Sequence, residues 1–201
     1  MGRRSRGFEV STCLPAVAAI EADLVRLAAA MTENQFHAQP PAGGWSAAFC
    51  IEHLVLTGQA FLSKWDTALG EAVLRKQSGS GPFSYRWWQR ALLHWAEPPY
   101  RIKTRAASQF VPRARRPMQD VVGRFLRMHT ELKRRIESSL GIDAARTKVQ
   151  SPFVSWIWYP LGFSFDLALA HERRHLWQAW QVRDRLFGAS GTRLPAAAPH
   201  D

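Results

Sequence analysis

The chain has 201 residues, 46% of them hydrophobic and 21% charged, and a formal net charge of +11. That length and balance fit one globular domain with a substantial core and exclude a disordered chain. No apolar run reaches the roughly 18 residues that a membrane span needs, and Cys13 and Cys50 have no CxxC spacing, which argues against a disulfide framework or a thiolate zinc site. A cytoplasmic protein is the expectation.

Residues 1–14 read as a basic tail, with Arg3, Arg4 and Arg6 near its start. The first helix is predicted from Pro15 to Met31, where Val17, Ile20, Leu24, Leu27 and Met31 recur at helical spacing. A loop follows, broken by Pro40-Pro41 and Gly43-Gly44. Ser46 is a candidate N-cap for a second helix over Ala47–Leu69. Phe49, His53, Thr57, Phe61, Trp65 and Leu69 climb one side of it at i,i+4.

Residues 71–118 read as a long aromatic and basic insertion between the second and third helices. It carries a short helix near Tyr85–Ala96, with Trp87, Trp88 and Trp95, ended by Pro98-Pro99. Arg101, Lys103, Arg105, Arg113, Arg115 and Arg116 then follow without an acidic residue. Ordered connections of this length usually serve function, so the segment is a candidate lid over a site. Its tryptophans suit packing against the bundle or a homodimer contact. Its charges suit an anionic small molecule. Nucleic acid is the alternative partner, but no helix-turn-helix, zinc-finger or RNP signature accompanies the charge.

The third helix is predicted over Met118–Leu140, with Val122, Phe125, His129, Leu132 and Ile136 on one face and Gly141 behind its end. A loop through Pro152 and Pro160 leads to a fourth helix over Ser164–Phe187, with Leu167, His171, His175, Gln178, Val182 and Leu186 along its inner side. Residues 188–201 read as a flexible tail. No strand alternation is convincing. The fold class is all-α, an antiparallel four-helix bundle, and the long connection after the second helix permits a crossover.

The chemistry concentrates in His171-Glu172-Arg173-Arg174-His175. Histidines four apart on a helix share a face one turn apart, so both rings can reach one ion. His53 occupies the same kind of position on another helix. Three neutral imidazoles from two helices make an open site for a divalent metal such as zinc, nickel or iron. The string also spells H-E-x-x-H, but the metalloprotease reading fails within the chain. Gln178 and Gln181 stand where the extended motif needs glycine and histidine, and no glutamate follows Glu172. Glu172 projects roughly 100° from His171 around the helix, which suits a surface salt bridge or interhelical packing better than a general base. His129 suits a core position or a substrate contact better than a fourth ligand.

Trp45-Ser46, Ile51-Glu52-His53-Leu54 and His171 to Gln178, in this order and placement, resemble the DinB-like (YfiT-like) superfamily, as does the approach Gln39-Pro40-Pro41-Ala42-Gly43-Gly44. The resemblance covers about residues 15–187. It implies a four-helix bundle whose metal-binding histidines map onto His53, His171 and His175, with Gln178 standing behind the ligands. Characterised relatives include transferases and isomerases that use low-molecular-weight thiols, and others have no assigned reaction. What the resemblance implies here is a metal-dependent transferase or hydrolase acting on a small molecule, with such a thiol as a candidate cosubstrate. A non-catalytic metal-binding protein is the alternative.

Overall fold

The computed structural model describes residues 8–99 and 105–188. Four long helices form the body: α1 (Cys13–Ala29), α3 (Ala47–Leu74), α5 (Met118–Ser138) and α6 (Leu161–Phe187). Two shorter helices, α2 (Glu33–His37) and α4 (Trp87–Ala96), lie in the connections. Both α1 and α3 pack chiefly against α5 and α6. Helices consecutive in sequence are therefore not the principal neighbours at the start of the chain, unlike a simple up-and-down bundle.

The core draws on the predicted faces. Val17, Ile20, Leu24 and Leu27 of α1 are buried, as are His53, Thr57, Phe61 and Trp65 of α3 and Phe125, His129, Leu132 and Ile136 of α5. The Ser46 hydroxyl accepts from Phe49 N at 3.2 Å, capping α3. Trp65 Nε1 donates to Ser164 Oγ at 2.8 Å, which satisfies a buried indole between α3 and α6. Gly58 brings α3 close to α5: a Cβ there would lie 2.6 Å from Met128 Sδ.

The last helix differs from expectation. It buries Phe165, Leu169, Glu172, Leu176, Ala179 and Trp180, while Leu167, His171, His175 and Gln178 are only half-buried. The bundle takes one side of α6 and leaves the histidine ladder less deeply buried. Of the expected inner side Val182 is buried; the helix has too many apolar and aromatic positions for one stripe, so periodicity alone does not single out the innermost face.

Two connections also depart from the loops expected of them. Thr32 caps α2 through a reciprocal pair, its Oγ1 accepting from Gln35 N at 3.3 Å and Gln35 Oε1 accepting from Thr32 N at 2.9 Å. Between α5 and α6, β1 (Lys148–Gln150) pairs antiparallel with β2 (Trp158–Pro160), Val149 opposite Tyr159. Three-residue strands are too short for an alternation pattern to reveal.

At the N-terminus, Phe8 and Phe83 exchange backbone hydrogen bonds at 2.7 Å. The insertion is thus tied to the chain just before α1. Residues 1–7 and 189–201, most of the two expected tails, lie outside the described residues, as do Arg101 and Lys103 of the basic tract. Among the described residues no helix is long and apolar enough to cross a membrane.

Candidate metal centre

Helix α3 brings His53, and α6 brings His171 and His175, to one point. One ring nitrogen from each falls within 4.8 Å of the others. Ring centroids are 4.6 Å apart for His53–His175 and for His171–His175, and 5.2 Å for His53–His171. Among the described residues this is the one such cluster of three ligating side chains.

The protonation pattern suits a cation. His53 Nδ1 donates to the Phe110 carbonyl at 2.8 Å. The neutral ring's proton is therefore on Nδ1, and the Nε2 lone pair faces inward. That Nε2 stands 3.2 Å from His171 Nε2. Two nitrogens each bound to one zinc at about 2.0–2.1 Å, at a near-tetrahedral angle, stand about 3.3 Å apart. His175 Nδ1 is buried without a hydrogen-bond partner. These three features fit a divalent metal ion.

All three imidazoles are held neutral, the form that ligation requires. Burial is the leading cause throughout. It lowers His53, against the pull of the Phe110 carbonyl, which favours the proton. It pushes His171 down to about 3, with His53 and the Arg174 guanidinium adding repulsion. It holds His175 well below its usual range, with His171, His53 and Arg174 adding to the effect and Gln178 opposing it.

Aromatic rings wall the cluster. Trp45 lies 4.9 Å from His53 and 5.9 Å from His175, ring to ring. Phe153, presented by the β1–β2 hairpin, lies 6.1 Å from His171 and 5.2 Å from Phe110. The insertion reaches the site through Phe110, which ends a single 3-10 turn over Ser108–Phe110.

The other residues of the motif tie α6 to its neighbours. Glu172, expected at the surface or between helices, is buried, and its Oε2 lies 3.1 Å from His129 Nε2 on α5. His129 Nδ1 is 3.5 Å from Glu21 of α1, which also pairs with Lys133 at 3.0 Å. His129 thus bridges helices and is not among the clustered histidines. Arg173 Nε donates to both Glu97 oxygens at 3.0 Å. Arg174 donates to the Trp95 carbonyl at 3.4 Å and lies 5.0 Å over its ring. These two arginines fasten α4 to the metal-site helix. The pairing shows why the tryptophan helix stays on the bundle, although Trp87 itself is 82% exposed.

Phe110, Phe153 and Glu52 were not legible as site residues. Phe110 acts through its backbone carbonyl, which no side-chain motif encodes. Phe153 depends on a hairpin too short to announce itself. Glu52 precedes His53 and is 4% exposed, held by Arg116 and Arg124 at 3.4 Å each. Arg116 of the basic tract, itself exposed, therefore reaches inward to this carboxylate.

The family described as the DinB superfamily matches residues 16–179. Among solved structures, YfiT from Bacillus subtilis, described as a probable metal-dependent hydrolase with an unusual four-helix bundle topology, aligns with a TM-score of 0.57 at 15% identity. The alignment covers 90% of this chain and 89% of that one. At that identity the likeness is one of fold. No curated protein matches the chain.

Proposed function

This chain belongs to the DinB superfamily, and on that footing we propose that it is a metal-dependent enzyme in which His53, His171 and His175 hold one divalent ion. The observation that carries the reading is the convergence of three neutral imidazoles, one of them oriented by the Phe110 carbonyl. A histidine ligand that donates its other ring N–H to a carbonyl is the usual arrangement behind a metal. A bound divalent ion would act there as a Lewis acid, or would lower the pKa of a water or thiol bound to it.

The protein's own groups prepare the site. Phe110 fixes the His53 tautomer and ring plane. Trp45 and Phe153 pack against the imidazoles and keep bulk water from the ring faces. Gln178, one turn beyond His175, is the polar side chain placed to steady that ring. Glu172 and His129 hold α6 in register with α5 and α1 and leave the chemistry to other groups.

Of the reactions compatible with such a site, we favour transfer of a small electrophilic group to a low-molecular-weight thiol, with hydrolysis as the variant in which water takes the thiol's place. Both use a neutral three-nitrogen site with room for an exchangeable ligand. The test is metal analysis of the purified protein, followed by turnover of an electrophile panel with and without a low-molecular-weight thiol. Turnover that needs the metal and stops with a chelator supports the reading. A fully metal-loaded protein that turns over none of them, with thiol or with water, overturns it.

A further inference from the structure

A cavity of ≈ 200 Å³ lies between α3, α5 and the insertion. Glu52 and Leu56 of α3, Arg124 of α5, and Gln109, Arg113 and Arg116 of the insertion contribute to its wall. Its charge pattern is unusual. Three arginines line it with one carboxylate, and Glu52 is 4% exposed. Arg124 Nη1 donates to Glu52 Oε2 at a long 3.4 Å, while Glu52 Oε1 has only an ion pair with Arg116 Nε at 3.4 Å and no hydrogen-bond partner. Arg113 has no ion pair among the described residues.

A buried carboxylate oxygen without a donor is costly. It marks the place of a ligand's N–H or O–H group. Three guanidiniums against one carboxylate leave an excess of positive charge, which marks the place of an anion. A ligand that answers both is a zwitterion. We infer that this cavity binds an acidic α-amino acid, or a molecule that ends in one, with the ammonium group on the Glu52 carboxylate and the carboxylates on Arg113, Arg116 and Arg124.

Two arginines held loosely by Glu52 can turn their free N–H groups to the ligand without losing the pair. A purely anionic ligand would leave Glu52 unanswered and bring like charge against it. A simple cation would face three guanidiniums. The inference is independent of the histidine cluster, because none of the three clustered histidines lines this cavity.

The experiment is calorimetric titration of the full chain with L-glutamate, glutarate (the same diacid without the ammonium group) and sulfate at constant ionic strength. Glutamate should bind saturably. Glutarate and sulfate should bind about tenfold more weakly or not at all, the size of one lost hydrogen bond between charged groups. Arg113→Ala, at an exposed position, and Glu52→Gln should each weaken glutamate by a similar factor, with the melting temperature reporting that each variant is folded. Should Glu52→Gln fail to fold, Arg113→Ala and the glutarate comparison decide the matter. Binding must persist in a His175→Ala variant, which separates this cavity from the metal cluster. Equal affinity for glutamate, glutarate and sulfate would overturn the inference, as would undiminished binding to Arg113→Ala, loss of binding in His175→Ala, or no glutamate binding at all.

Discussion

Two histidines on neighbouring helices have opposite fates in this protein. His175 faces two other imidazoles. His129 faces two carboxylates, Glu172 and Glu21. Replacing His175 with alanine should remove stoichiometric metal and leave the helices in place. Replacing His129 with alanine should leave the metal bound but cost about 3 kcal/mol, because the buried Glu172 carboxylate loses its nearest partner. Metal analysis and chemical denaturation of the two variants distinguish the cases. Metal loss in the His129 variant equal to that in the His175 variant would contradict the assignment. The ladder of histidines was legible because side chains at i,i+4 are fixed by helix geometry. Which histidine turns to the cluster and which to a carboxylate depends on neighbours from other helices, and those are set only by the packed fold.

The insertion is built around a few anchors. Arg116 pairs with Glu52, Arg173 with Glu97, and Phe110 packs on Phe153 while its carbonyl holds His53. Phe110→Ala removes the ring that seats this carbonyl. It should weaken metal affinity by about tenfold, the lower end for loss of a group behind a ligand, with helical content unchanged. A competition titration against a chelator measures it, and unaltered affinity would show that the ring does not hold the carbonyl in place. The cap of α3 offers a simpler check on how the site's main helix begins. Ser46→Ala should cost about 1 kcal/mol, read from the denaturation midpoint. The helix bodies and this cap could be read from apolar periodicity and one hydroxyl. The hairpin and α2 could not, because each is too short to show a period, although Thr32-Glu33-Asn34-Gln35 carried a capping signature.

At the scale of the molecule, the cluster links stability to pH. His53, His171 and His175 all have folded-state pKa values below the unfolded value of about 6.5. Below that pH the unfolded chain takes up protons that the folded cluster refuses, so stability falls with pH, and for His171 the fall continues toward about 3. The metal-free protein should therefore melt at a lower temperature at about pH 5 than at about pH 7, a window largely above carboxylate titration. A variant with all three histidines replaced by glutamine should show a smaller difference, and an equal one would refute the linkage. The bundle class was readable from four amphipathic segments. Their neighbour relations, with α1 and α3 both set against α5 and α6, were not, because loop length permits several arrangements that bury the same faces. The central claim is that three histidines from α3 and α6 hold one metal ion. The most direct measurement is the metal-to-protein ratio after loading and desalting, for the wild type and for His175→Ala side by side. The account predicts one ion per chain in the wild type and none retained by the variant. A wild type that retains no metal, or a variant that retains as much, would contradict it.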